Sequence, residues 1–297
     1  MSDEILFEKK NGLGLITLNR PKALNALNYS MIKLMYKTLK DWESDQEILA
    51  VLVKGEGEKA FCAGGDIRSI YESITSGSDM HAHFFRDEYA LNEYIYTYSK
   101  PYIALMNGYV MGGGMGISQG ASFRVVTERS KISMPEVAIG YFPDVGASHF
   151  LSKCPGSIGE YLALTGVTLD SEDALYANLA DWLLPSSNIP AFLEQLERLN
   201  ANIPASEQLV TILLNLGARN TPLNASLESN CDVIDAIFSL DAVEEIIAAL
   251  EQAAPNGNVW IAETVGLMKK RSPIAMVGAR ETRLRHSVIK QAAKPAH

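Results

Sequence analysis

Glu136 and Asp144 stand eight positions apart, separated by an otherwise apolar run from Val137 to Pro143. Carboxylates among apolar neighbours lose hydration, which raises their pKa toward the range that acid–base work requires. Two surface acids in a proline-punctuated loop would read the same way. Two glycine clusters upstream could supply electrophilic partners. In the first, Ala60-Phe-Cys-Ala-Gly-Gly-Asp66-Ile67, adjacent glycines precede an acid. There the backbone can pass close to a ligand with N–H groups free to donate, or the turn leads into a helix with Asp66 as N-cap. In the second, Asn107-Gly-Tyr-Val-Met-Gly112-Gly113-Gly114-Met-Gly116, three consecutive glycines open a helix of small residues. Such a run is entropically costly, and first-turn N–H groups with the helix dipole favour a developing oxyanion. Close packing is the other reading. The spacing fits neither GxGxxG nor GxxxxGK[ST], so the common dinucleotide and ATP phosphate loops are not indicated.

Other residues offer less. His81 and His83 have Asp79 as their only close acidic neighbour, which is too little for a metal site. No G-x-S-x-G elbow supports a serine nucleophile. Cys62 reads as packing, and Met31, Met35, Met106, Met111 and Met115 read as core.

The elements that must position these groups follow from periodicity. Ile5 to Lys9 and Leu13 to Leu18 flank Asn11-Gly12 and predict a hairpin. Met31, Leu34, Met35, Thr38, Leu39 and Trp42 fall at helical spacing. Ile48 to Val53, Tyr102 to Met106, Phe123 to Thr127 and Lys131 to Met134 read as strands, the first two being short apolar runs suited to burial on both faces. Strand–helix alternation indicates an α/β chain up to about residue 150. Beyond Ile158 the apolar spacing turns helical and strand signals fade.

These stretches together resemble the crotonase (enoyl-CoA hydratase/isomerase) superfamily, and within it the 3-hydroxyisobutyryl-CoA hydrolases of valine breakdown. The similar segments run in family order: Leu18 to Leu27, Ala60 to Arg68, Phe84 to Tyr89, Asn107 to Gly116 and Met134 to Gly146. The resemblance implies a crotonase-like ββα spiral core of nearly perpendicular sheets over residues 1–200, then a helical C-terminal region over 201–297. It assigns the backbone N–H groups of Gly65 and Gly113 to an oxyanion hole for a thioester carbonyl. Glu136 and Asp144 become the reacting acids, and Glu88 a substrate-binding acid whose alternative reading is a helix-surface carboxylate. Lys22, Ala23 and Leu24, with Ala63, Gly64, Asp66 and Ile67, become the coenzyme A contacts. No cofactor is implied, because coenzyme A is part of the substrate, and a homo-oligomer is left open.

Hydratases of the superfamily use a second glutamate two positions after the triple glycine, where this chain has Gly116. Asp144 replaces a glycine usual in hydratases. The exchange points to hydrolysis of a short 3-hydroxyacyl-CoA, through attack by Glu136 or by a water it activates. A hydratase or isomerase, and an inactive CoA-ester-binding or scaffold protein, are the alternatives.

Composition agrees with a folded, non-membrane protein: 47% hydrophobic and 21% charged residues, with no apolar run near the roughly 20 residues a bilayer span needs. A net charge of −9 argues against a nucleic-acid surface. The three cysteines, Cys62, Cys154 and Cys231, form neither a disulfide framework nor a zinc motif. The N-terminus lacks a signal or transit pattern, so a cytoplasmic location is expected. From Lys269 to His297 there are eight Lys/Arg and one acid, while the first 268 residues carry a net charge of −16. The resemblance frays after about Pro273, which predicts a shortened or divergent end, or a tail outside the fold.

Overall fold

Asn11 and Gly12 both take positive φ (47° and 92°), closing the expected hairpin of β1 (Ile5–Lys10) and β2 (Leu13–Leu18). The structure, a computed structural model, describes residues 3–256 and 258–292, and side chains up to Thr282 other than that of Asn256. After the hairpin, α1 (Tyr29–Ser44) starts at Asn28, whose side chain accepts from the Met31 amide. It buries Met31, Met35, Leu39 and Trp42 of the expected stripe, with Ile32 beside them, while Leu34 and Thr38 are half-buried at its edge.

Three strand pairs follow. The first is β3 (Ala50–Gly55) with β4 (Ala60–Cys62), the second β5 (Tyr102–Met106) with β6 (Tyr109–Met111), and the third β7 (Phe123–Val126) with β8 (Lys131–Ser133). With the short β9 (Trp182–Leu183), the leading strand of each pair enters one sheet of order β1-β2-β3-β5-β7-β9. The trailing strands form a second sheet, β4-β6-β8. Among the pairings of these nine strands, β1–β2 is antiparallel and the rest are parallel. Each turn of chain thus contributes one strand to each sheet, which is the ββα spiral the resemblance implied. Helices complete the turns: α2 (Ile67–Thr75) and α3 (Met80–Tyr96) lie between β4 and β5, and α4 (Gly113–Gln119) follows β6.

The apolar strand runs are buried on both faces because the larger sheet divides two cores. Val51, Val53, Tyr102, Ala104 and Met106 face the core shared with the small sheet, α1 and α3. Their alternates Ala50, Leu52, Ile103 and Leu105 pack against Phe192, Leu196, Leu209 and Leu213 of α8 (Ile189–Leu196) and α9 (Ala205–Asn215). Between β8 and α8 lie α5 (Ala147–Phe150), α6 (Ile158–Thr165) and α7 (Ser171–Tyr176).

The C-terminal region is helical, as expected: α10 (Ser226–Phe238), α11 (Val243–Ala253), α12 (Val259–Met268) and α13 (Pro273–Ala292). Of the two readings of the basic end, a tail outside the fold fails up to residue 282. Arg280, 6% exposed, pairs with buried Glu160 of α6 at 3.2 Å and donates to the carbonyls of Phe238, Leu240 and Asp241 at the end of α10. Arg271 donates to Thr165 O at 2.6 Å. The side chains of Arg283, Arg285 and Lys290, and all of Lys294, lie outside the described residues. Among the described residues, no helix is long and apolar enough to cross a membrane.

Candidate active site

The two glycine turns meet in space. Leu27 N donates to Gly64 O and Asp66 N to Leu27 O, which holds the Gly64–Gly65 turn against the chain before α1 and leaves the Gly65 amide free. Gly112 turns the chain into α4 with φ 48° and ψ −116°, a conformation suited to glycine. The space beside it is equally restrictive. A Cβ on Gly112 would lie 2.8 Å from Glu136 Oε1, and one on Gly113 would lie 2.6 Å from Glu88 Oε1 and 3.1 Å from Gly65 N. The Gly65 and Gly113 amides therefore share one neighbourhood, and neither finds an acceptor among the described residues. This is the geometry an oxyanion would occupy.

Glu88, Glu136 and Asp144 all line the same cavity, of about 290 Å³, together with Gly64, Gly65, Gly112 and Gly113. Its remaining wall is apolar and includes Ile67, Ile70, Phe84, Phe85, Ile139 and Val145. Glu136 opens a one-turn 3-10 helix, Glu136–Ala138. That turn is braced from behind: Ser272 N, just before α13, donates to Val137 O at 3.0 Å. Gly166, at the end of α6, packs so closely that a Cβ there would lie 3.1 Å from Met134 O. Burial raises the Glu136 carboxyl to about 8, with the Asp144 charge adding to it. Asp144 is also raised by burial, although the Tyr89 hydroxyl, donating to its Oδ2 at 2.5 Å, opposes the shift.

Glu88 is 2% exposed, so the surface reading of this residue is excluded. It lies on the α3 face that also buries Phe84, Leu91, Asn92 and Ile95. Burial, then Asp144, then Glu136 push its carboxyl up to about 8. Glu88 Oε1 and Glu136 Oε2 have no hydrogen-bond partner among the described residues. An unpaired buried oxygen is costly unless a ligand completes it.

Gly116 bears on the choice of chemistry. A Cβ there would lie 2.8 Å from Asn92 Nδ2 and 2.8 Å from Val145 Cβ. A glutamate at this position would have to displace both neighbours. Sequence reasoning passed over Asn92 and Tyr89. The available signal was the four-residue step from Glu88 to Asn92, which places both on one helix face.

The expected coenzyme A residues are not gathered in one place. Ala63, Gly64 and Ile67 line the cavity, and Leu24 O accepts from Ala63 N at 3.0 Å. Lys22 borders a separate depression with Glu56, Glu58 and Lys59. Asp66 is occupied locally: it caps α2 by accepting from Ser69 N and pairs with Arg20 at 2.8 Å. Its N-cap reading holds. Cys62 is fully buried, donates to Gly64 O, and burial raises its thiol to about 12, consistent with packing.

A family model described as enoyl-CoA hydratase/isomerase matches residues 13–292. The chain is 43% identical over 277 residues to a "3-hydroxyisobutyryl-CoA hydrolase, mitochondrial" of Danio rerio, covering 92% of this chain and 71% of that protein. It is 41% identical over 288 residues to "3-hydroxyisobutyryl-CoA hydrolase 1" of Arabidopsis thaliana, covering 95% of this chain and 75% of that one. Among solved structures, a carnitinyl-CoA dehydratase from Mycobacterium thermoresistibile superposes with a TM-score of 0.88 at 36% identity, covering 97% of this chain and 81% of that chain.

Proposed function

The chain belongs to the enoyl-CoA hydratase/isomerase family, and from that premise we propose that it hydrolyses a short 3-hydroxyacyl-CoA thioester, 3-hydroxyisobutyryl-CoA foremost, to the free acid and coenzyme A. The crowding of Gly116 by Asn92 and Val145 carries this reading. It leaves no space for the second glutamate that water addition to a double bond uses, whereas Glu136 and Asp144 remain beside the free amides.

The thioester oxygen accepts from the Gly65 and Gly113 amides. Negative charge grows on that oxygen as the carbonyl carbon is attacked, and two fixed donors stabilise it. Glu136, as the carboxylate, either attacks the carbon or removes a proton from the attacking water. The carbon–sulfur bond then breaks; in the first route water cleaves the anhydride so formed, and in either route the proton that water gives up passes, by way of Asp144, to the departing thiolate. Glu88 holds the acyl group. Coenzyme A enters as half of the substrate, so the scheme needs no further cofactor. Its nucleotide runs past Ala63, Gly64 and Ile67 toward Leu24, Ala23 and Lys22, with Asp66 fixing the turn through Arg20.

The test is release of free thiol from 3-hydroxyisobutyryl-CoA set beside hydration of crotonyl-CoA, followed by its ultraviolet absorbance. Thiol release without hydration is expected. Hydration without thiol release would move the assignment toward the dehydratase chemistry for which the Mycobacterium thermoresistibile protein is named. Tight binding of the ester with neither reaction would make the chain a CoA-ester-binding protein. A single turnover in oxygen-18 water separates the two routes, since label enters Glu136 only through a covalent anhydride. Self-association and a cytoplasmic location belong to the same proposal. Sedimentation and cell fractionation test them, the latter against the mitochondrial naming of the zebrafish relative.

A further inference from the structure

A second cavity of about 580 Å³ adjoins the first, and Tyr141, Asp144 and Val145 border both. Asn92 of α3 lines it. Asn92 is only 9% exposed, yet neither its Oδ1 nor its Nδ2 has a hydrogen-bond partner among the described residues. A buried carboxamide unpaired at both ends calls for a group that can donate and accept at once. A hydroxyl does both. A carboxylate would instead meet Glu93 and Asp144, which line the same cavity.

Position agrees with this chemistry. Four helical residues advance about 6 Å, so Asn92 lies one turn past Glu88 on α3. It faces Gly116 of α4 just as Glu88 faces Gly113. An acyl group whose carbonyl rests on the Gly113 amide and whose chain passes Asp144 and Val145 into the second cavity brings its third carbon alongside Asn92. Resting on the hydrolase reading above, we propose that Asn92 is a specificity-determining residue: its carboxamide takes the hydroxyl on the acyl chain, in the cavity beside Asp144. Gly116 makes this possible, because any side chain there would occupy the place of the carboxamide.

The experiment compares 3-hydroxyisobutyryl-CoA with isobutyryl-CoA, which differ by that hydroxyl alone, in the wild type and in Asn92→Leu. Leucine keeps the branched heavy-atom shape and removes both polar atoms, so the variant should melt at or above the wild-type temperature. Its ratio of kcat/KM, hydroxylated over deoxy, should fall by roughly tenfold or more, the loss of a buried hydrogen-bond pair. Calorimetric binding of both esters to Glu136→Gln and to Glu136→Gln/Asn92→Leu should show the ratio of Kd values, hydroxylated over deoxy, rise by the same factor. An unchanged ratio, or an equal loss on both esters, overturns the proposal. If the wild type cleaves neither ester, the hydrolase reading fails while the binding ratio still decides the role of Asn92.

Discussion

Helix α3 and the segment from Met134 to Gly146 both line the smaller cavity, and they place their polar groups by different means. The helix delivers Glu88 and Asn92 through regular spacing, rigid along one face and backed by Phe84, Leu91 and Ile95. The 134–146 segment has only a single 3-10 turn near its start, and its two acids are held by groups from elsewhere. These are the Tyr89 hydroxyl on Asp144, the Ser272 amide on Val137 O and the close approach of Gly166. The contrast suggests a division of labour. The regular element suits recognition, which asks for fixed spacing, and the braced loop suits groups whose ionisation must respond to their surroundings.

Mutations can break or sharpen that division. The largest effect is expected from Glu136→Gln, with kcat falling on the order of 10³-fold and KM little changed. A comparable rise in KM would mean that the loop binds as much as it reacts. Gly113→Ala comes next. Its methyl would lie 2.6 Å from Glu88 Oε1 and 3.1 Å from Gly65 N, so both walls are disturbed at once. A loss in kcat/KM on the order of 10²-fold is expected, as for removal of an oxyanion donor.

Asp144→Asn should cost on the order of 10²-fold in kcat and also move the pH profile. Glu136 must be ionised to act and burial holds it protonated below about 8, so kcat/KM should rise with pH to a midpoint near that value. Removing the Asp144 charge eases ionisation of Glu136 and moves the midpoint to lower pH. A midpoint that stays or climbs would show that the two acids do not sense each other.

The smallest effect concerns stability. Glu88 is raised from 4.5 to about 8 in the folded chain, so the fold keeps a proton that the unfolded chain has released. Its contribution is complete below pH 4.5 and is lost as pH rises through 8. Glu88→Gln should flatten that decline in melting temperature by a few degrees at most and raise KM more than it lowers kcat. A kcat loss matching that of Glu136→Gln would erase the distinction between helix and loop.

Legibility in the sequence followed the same contrast. Regular elements with strong local signals were readable: the Asn11-Gly12 hairpin, the α1 stripe and β5 at its observed bounds. The strand expected at Ile48 to Val53 begins two residues later, at Ala50, because Ile48 packs in the core before sheet pairing starts. The three-residue strands β4 and β6 were hidden inside the glycine clusters, since so short a strand is specified by the partners it pairs with and not by its own period. The loop acids and glycines stood out because their residue types are unusual in such company. Asn92 did not, because an asparagine in a helix reads as a solvated surface residue until the burial of its neighbours is known.

The Ser272–Val137 clasp ties the reactive turn to the start of the last helix, far along the chain from the sheets that build the core. A clasp made by one backbone hydrogen bond opens more readily than the paired strands of a buried sheet. On mild denaturation the enzyme should therefore fall silent while circular dichroism still registers most of its secondary structure, inactivation running ahead of melting.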